Sequence, residues 1–262
     1  CPKCYKRNRL NKIIDGKEFA QKIRNQVKED SDNLFKNKEV QPCLAVVLVG
    51  ENPASKVYVG AKTKMAAECN IKTKDFKMED TTDQATLLKV IEELNNDSGV
   101  HGILVQLPLP KQIDERAVID AIDVKKDVDG FHAINAGRLS IGGEMLKQAF
   151  IPCTPLGSLL LLKDTVPNLS GMNAVVIGRS NIVGKPMSQL LIEESCTVTI
   201  VHSRTKDIEA ICSKADIIVA AVGRPEMIRS NWIKDDAVII DVGINRIPSK
   251  KPDGSEGTKL VG

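Results

Sequence analysis

The sequence predicts an α/β protein of two domains, the second of them Rossmann-like. Short apolar runs alternate with amphipathic segments along the chain, the pattern of parallel strands joined by crossover helices. At 262 residues the chain exceeds the roughly 100–150 residues usual for one domain. The stretch "NAVVIGRSNIVGKPMSQLL", residues 173–191, also runs strand, glycine, loop and helix, as a dinucleotide-binding turn does.

In order along the chain, "IIDGKEFAQKIRNQVKED" reads as a short strand, a turn and an amphipathic helix. "PCLAVVLVG" is a buried strand, and "NPASKVYVGAKTKMAAECN" a helix whose start is marked by Pro53 and Ser55. "ATLLKVIEELNND" is a helix, and "VHGILVQLPLP" a strand ended by prolines. After "IPCTP" a second unit begins with helix 155–163, strand 174–177, helix 185–194 and strand "TVTIV". Helix 206–213 and strands "DIIVAAV" and "AVIIDVG" complete it, followed by the polar loop "SKKPDGSEGTK". The segment around 140–153 is the natural hinge, which divides the chain into domains 10–145 and 146–262. No internal repeat or low-complexity tract interrupts this order.

With 42% hydrophobic and 27% charged residues, the composition is that of a globular chain with ample core material. A net charge of +3 is too small to argue for nucleic acid, and no apolar run approaches the roughly 18–20 residues of a membrane-spanning helix. The seven cysteines are odd in number and unevenly spaced, and four lie beside apolar segments, which favours reduced thiols and a cytoplasmic location. Cys1 and Cys4 form a lone CxxC with neither a second pair nor a nearby histidine, so no metal site is expected.

The turn at Gly178 departs from the usual dinucleotide fingerprint, since Ser180 stands where the second glycine is expected and the next glycine is Gly184. A glycine after the strand permits the tight turn, and the helix start that follows offers N–H groups and a positive dipole end to a phosphate. Ser180 adds a hydroxyl. At the end of the next strand, 25 residues after Gly178, an acid would accept from the ribose 2′-OH of NAD, whereas an arginine accommodates a 2′-phosphate. That corner carries Ser203 and Arg204, and Arg179 adds a cation in the turn itself, so charge favours NADP. The plainer reading is a parallel-sheet domain whose glycine turn serves packing and whose arginines are merely solvated.

The first unit holds the candidates for chemistry. Tyr58 and Lys62 are four apart on one helix and project from one face. Gln106 ends a strand, where α/β sites gather, and Asp129 lies beside Gly130 in "KKDVDGFHAIN". Taken singly, each has a bland alternative: a half-buried anchor, a solvated charge, a strand-end cap and a turn former.

Together, and in this order, "YVGAK", "VQLPLP", "KDVDGFHAIN", "PCTPLG", "GRSNIVGKP" and "DVGIN" resemble the methylenetetrahydrofolate dehydrogenase/methenyltetrahydrofolate cyclohydrolase family, from about Ile13 to Gly262. The resemblance implies two α/β domains flanking a cleft, with NADP on the second and the folate between them. It implies oxidation of 5,10-methylenetetrahydrofolate, then hydrolysis of the methenyl product to 10-formyltetrahydrofolate. Lys62 matches the family's catalytic lysine and Gln106 the residue that hydrogen-bonds and orients it. Asp129 matches the carboxylate that takes the amino-pyrimidine edge of the pterin, and Tyr58 the aromatic that packs along the ring system. The family's NADP contacts fall on Gly178, Arg179, Ser180, Ser203 and Ile244, with Thr154 near the nicotinamide. Arg204 is added on charge alone.

The family suggests a homodimer formed through the cofactor domains, with no nucleic-acid or membrane partner. Its members continue past "LVG" with an acidic segment, a Pro-Gly-Gly-Val-Gly-Pro loop and a last helix, so the resemblance implies a chain truncated at its C-terminus. The "CPKCYKRNR" extension has no counterpart in it. Two rivals remain, a non-catalytic NADP-binding relative and a monofunctional dehydrogenase. The intact set Tyr58, Lys62, Gln106 and Asp129 argues against the first, and the presence of Lys62 with Gln106 against the second. A shikimate-type dehydrogenase lacks the first-domain motifs.

Overall fold

The computed structural model describes residues 13–250 and 256–262. The lone CxxC at Cys1 and Cys4 lies outside them.

Helix α1 (Gly16–Lys38) leads into β1 (Cys43–Val49), α2 (Pro53–Glu68), β2 (Lys72–Met78), α3 (Gln84–Asn96), β3 (Gly102–Val105) and α4 (Glu115–Ala121). The three strands form a parallel sheet in the order β2-β1-β3. As the central strand, β1 is apolar throughout, "CLAVVLV", because both of its faces are covered. Ala45 and Val47 face a core with Leu87, Ile91 and Ile103, while Val46 and Leu48 pack on the opposite side with Val59 and Leu104.

Sequence reasoning passed over β2. Its lysine-rich "KTKDFKM" shows only Phe76 and Met78 to the core. Charged side chains on an edge strand keep it from pairing with another chain, at the cost of a weak strand signature.

The short strand expected at Ile13–Ile14 does not form, since no neighbouring strand is there to pair with it. Instead Asp15 caps α1, accepting from the backbone N–H groups of Lys17 and Glu18 at 3.0 Å each. Ile14 packs against the core of the second sheet.

Three helices, α5 (Ala133–Ile141), α6 (Gly143–Leu146) and α7 (Cys153–Thr165), join the two sheets. The second unit continues with β4 (Asn173–Ile177), α8 (Gly184–Glu193), β5 (Thr197–Val201), α9 (Ile208–Cys212), β6 (Ile217–Ala220) and β7 (Val238–Asp241). These strands form a parallel sheet ordered β5-β4-β6-β7, a Rossmann-like half with β4 inside it. Val176, Leu190, Leu191, Leu162 and Ile217 fill one face of this sheet, and Val175, Ile177, Val201 and Ile218 the other.

The chain then forms a hairpin, β8 (Asn245–Lys250) against β9 (Glu256–Val261), where a polar loop was expected. Its lysines, glycine and proline hide the strand pattern, and antiparallel backbone pairing supplies the order. Among the described residues, no helix is long and apolar enough to cross a membrane.

Candidate active site

A cavity of about 800 Å³ lies between the two units, lined from the first by Tyr58, Lys62, Gln106 and Asp129 and from the second by Ile182 and Val183. Asn52 starts α2 by accepting from Ala54 N and Ser55 N, with Pro53 at the first helical position. Ser55, Val59 and Ala66 turn inward from α2, which sends Tyr58 and Lys62 out along the adjoining stripe into the cavity. Tyr58 is 50% exposed, which leaves its ring face open to a ligand.

Gln106 follows β3 directly, and its N–H still extends the sheet, donating to Val47 O at 2.9 Å. Its side-chain Nε2 donates to Leu107 O at 2.7 Å, so the amide can turn only its oxygen toward α2. Lys62 Nζ donates to that oxygen at 3.2 Å. The lysine is thereby aimed by a neutral acceptor.

Asp129 projects from the loop after α4. Burial pushes its carboxyl up from the ordinary value, the Lys62 charge draws it down, and Asp127 adds to the upward push. Gly130 (φ +68°) turns the loop back so tightly that an added Cβ would lie 2.9 Å from the carbonyl carbons of Phe150 and Ile151. Cys153, at the start of α7, opens onto the same cavity. Its thiol is pushed up by desolvation, with the Asp129 charge adding and Lys62 opposing. Thr154 lines the cavity beside it, while Leu104, Leu107, Val128, Phe131 and Phe150 supply apolar walls. The result is one carboxylate, one amine and one amide in a cavity with apolar sides. That arrangement suits a planar heterocycle with donors along one edge.

The remaining sequence candidates gather on the second sheet. Gly178 follows β4 with φ +119°, and an added Cβ would lie 3.0 Å from the carbonyl carbon of Ala221. At Gly184 an added Cβ would meet backbone of the turn itself, 2.6 Å from Gly178 C and 2.8 Å from Arg179 N. The first glycine therefore makes the turn, and the second lets α8 begin against it. Ser180 replaces the missing middle glycine with a hydroxyl that ties the turn together. Its Oγ accepts from Val183 N at 3.2 Å and Gly184 N at 3.3 Å, which leaves its hydroxyl proton to donate outward.

After β5, Thr205 Oγ1 accepts from His202 N at 3.0 Å and His202 Nδ1 accepts from Arg204 N at 3.2 Å, so the corner presents Ser203 and Arg204 exposed. Ile244 stands 66% exposed between β7 and β8. Thus Tyr58, Lys62, Gln106, Asp129 and Thr154 share the cavity, while Gly178, Arg179, Ser180, Ser203, Arg204 and Ile244 lie on loops beyond the carboxyl ends of β4, β5 and β7. Such strand ends are where open parallel sheets bind nucleotides, and the glycine cradle with its basic corner fits a phosphorylated dinucleotide.

Sequence reasoning did not single out Ile182 and Val183, through which the Gly178 loop reaches the cavity. Two bulky apolar residues inside a glycine turn were the available signal.

Residues 14–129 match the model of the tetrahydrofolate dehydrogenase/cyclohydrolase catalytic domain, and 152–262 match that of the same family's NAD(P)-binding domain. The chain belongs to the tetrahydrofolate dehydrogenase/cyclohydrolase family. It is 57% identical to the bifunctional protein FolD of Paramagnetospirillum magneticum over 96% of this chain and 82% of the relative. It is 56% identical to the bifunctional protein FolD 2 of Roseobacter denitrificans over 95% and 82%. Among solved structures, the Campylobacter jejuni bifunctional enzyme FolD superposes with a TM-score of 0.87 at 43% identity, covering 94% of this chain and 85% of that one. The Trypanosoma brucei dehydrogenase-cyclohydrolase, solved with NADP cofactor and inhibitor, superposes with 0.85 at 32% identity over 95% and 84%.

Proposed function

We infer that this chain oxidises 5,10-methylenetetrahydrofolate to the methenyl form with NADP and hydrolyses that product to 10-formyltetrahydrofolate. The observation that carries the reading is Lys62, held by Gln106 at 3.2 Å, in one cavity with Asp129 and facing the glycine turn of the second unit. The bifunctional FolD relatives and the NADP found with the T. brucei structure support it.

Asp129 accepts from the amino-pyrimidine edge of the pterin, Tyr58 packs along its ring, and the apolar walls exclude bulk water. For oxidation, NADP when bound supplies the hydride acceptor. The turn at Gly178–Ser180 and the corner at Ser203 and Arg204 would hold its phosphates, with Ile244 and Thr154 on the same side of the site. Hydride transfer asks for close, oriented reactants and little acid–base help, because the folate nitrogens stabilise the cation that forms.

Hydrolysis asks for proton transfers. Neutral Lys62 takes a proton as water adds to the methenyl carbon, and the resulting ammonium returns a proton to N5 as the C–N5 bond breaks. The carbinol proton leaves to solvent as the formyl C=O forms. Gln106 keeps Nζ on this path.

The exposed edge strand β5, with Ile200 41% exposed, supports a homodimer paired through the cofactor domains. We put the break between domains 10–145 and 146–262 in the helical segment joining the sheets, a reading supported by family matches that end at 129 and resume at 152. Five described cysteines without disulfides agree with a cytoplasmic enzyme.

The test is a pair of absorbance assays. One follows oxidation of methylenetetrahydrofolate with NADP and, in parallel, NAD. The other follows hydrolysis of methenyltetrahydrofolate. Loss of neither activity in Lys62→Met would overturn the residue assignment, and absence of both in the parent would overturn the function.

A further inference from the structure

Asp127 and Asn135 do not line the cavity, yet both are buried polar groups, at 1% and 0% exposure. Asp127 sits two residues before Asp129. Its carboxylate accepts from Phe131 N at 3.3 Å, His132 N at 2.9 Å and Asn135 Nδ2 at 2.8 Å. Its own carbonyl accepts from Gly130 N at 3.1 Å, so the carboxylate and the main chain together close the loop that carries Asp129.

Asn135, on the first turns of α5, uses its amide in two directions. Nδ2 donates to Asp127 and to Val124 O at 3.1 Å, and Oδ1 accepts from Phe150 N at 3.3 Å. Phe150 begins the segment that supplies Pro152, Cys153 and Thr154 to the cavity. The same two pieces of chain meet backbone to backbone at Gly130, where there is no room for a Cβ. Buried charged and amide groups this fully satisfied hold one arrangement, because each alternative strands a polar atom away from water.

We propose that Asp127 and Asn135 are positioning residues, a buried clamp that sets the Asp129 loop against the 150–154 segment and so fixes the folate relative to the nicotinamide side of the cleft. The proposal rests on the function inferred above and concerns the alignment of two ligands. Oxidation needs folate and nicotinamide aligned with each other, and a misplacement of about 1 Å can cost on the order of 100-fold in rate. Hydrolysis needs the folate aligned only with Lys62 and water, all within the first domain. Loosening the link from Asn135 to Phe150 should therefore damage one reaction more than the other.

The test is Asn135→Ala, which removes the acceptor for Phe150 N while Asp127 keeps its two backbone donors. Asn135→Ser is the second variant, keeping a polar group in the pocket without the reach to Phe150. Dehydrogenase and cyclohydrolase kcat are measured on the same preparation of each. A merely structural role lowers the active fraction and scales both rates equally, leaving their ratio unchanged. The clamp predicts a dehydrogenase-to-cyclohydrolase kcat ratio at least roughly tenfold below that of the parent, with methenyltetrahydrofolate KM little changed. Asp127→Asn, which weakens the loop itself, should instead raise the folate KM of both reactions. A parent with both activities and an unchanged ratio in whichever Asn135 variant folds overturns the clamp alone. A parent with neither activity overturns the function reading. Should neither Asn135 variant fold, Asp127→Asn decides, and an unchanged folate KM there overturns the proposal.

Discussion

Replacing Gly184 with alanine should open the cofactor turn from within. The added Cβ would stand 2.6 Å from Gly178 C and 2.8 Å from Arg179 N, with Gly178 O closer still, whereas ordinary contact begins at 3.4 Å. The turn and the start of α8 must therefore part by at least about 0.8 Å, the difference between 3.4 and 2.6 Å, and by more to clear Gly178 O. Both sides are backbone, and Gly184 is buried, so no flexible side chain can yield instead. Forcing a methyl group into packed backbone costs roughly 1–3 kcal/mol. At about 2–4 °C per kcal/mol for a chain of this size, Tm should fall by roughly 2–12 °C. Ser180 Oγ, which accepts from Val183 N and Gly184 N, would lose its anchor in the same movement. NADP affinity should drop roughly 10- to 100-fold, because the N–H groups that would meet its phosphates are displaced and a hydrogen bond to a charged group is worth about 1.5–3 kcal/mol. The measurement is calorimetric melting with and without NADP. Gly137→Ala serves as the control, since a Cβ there meets nothing within 4 Å inside α5. It should gain about 0.5–1 kcal/mol, the ordinary helical advantage of alanine over glycine. A Gly184→Ala protein that melts within a degree of the parent and binds NADP equally well would refute the assignment of the two glycines.

Lys62→Met should abolish hydrolysis of methenyltetrahydrofolate while folate and NADP still bind; ring opening well above the uncatalysed rate would assign the proton transfer to another group. NADP should be preferred over NAD by at least roughly tenfold in kcat/KM, one charge-assisted contact of about 1.4 kcal/mol. Arg204→Ala should shrink that preference, and an unchanged ratio would shift the discrimination to Arg179 or Ser203. Asp129→Asn should stabilise the ligand-free protein while weakening folate binding. Because burial raises the folded-state value of Asp129 above the ordinary 3.8, its ionisation opposes folding. The parent's full stability from this group is present below about pH 3.8 and is lost as pH rises through the raised folded value. The variant should therefore match the parent at acidic pH and melt higher above that window; a lower Tm at neutral pH would contradict the burial assigned to Asp129.

Much of the fold was legible because buried parallel strands are written as unbroken apolar runs, as in "CLAVVLV" and "DIIVAAV". What escaped was order held by backbone pairing rather than by apolar side chains. The edge strand β2 and the hairpin of β8 and β9 carry lysines, a glycine and a proline, and neither shows a continuous apolar face. The site was legible in a similarly uneven way. Tyr58 and Lys62 share a helix face by spacing alone, and Gln106 ends a strand, so local rules reach them. That Lys62 and Gln106 touch, 44 positions apart, depends on α2 packing against β1, the neighbour of β3 in the sheet, which no local pattern encodes. Asp127 shows the limit most sharply. It stands two positions from Asp129 in the same loop, with the same side chain and similar neighbours in sequence. One carboxylate is consumed by Phe131, His132 and Asn135, and the other lines the cavity beside the Lys62 charge. The turn at Gly130 and the position of α5 decide between them. A carboxylate whose acceptor sites are filled by its own loop and by α5 holds the loop, and the one that meets no hydrogen-bond donor among the described residues keeps its acceptor sites for a ligand.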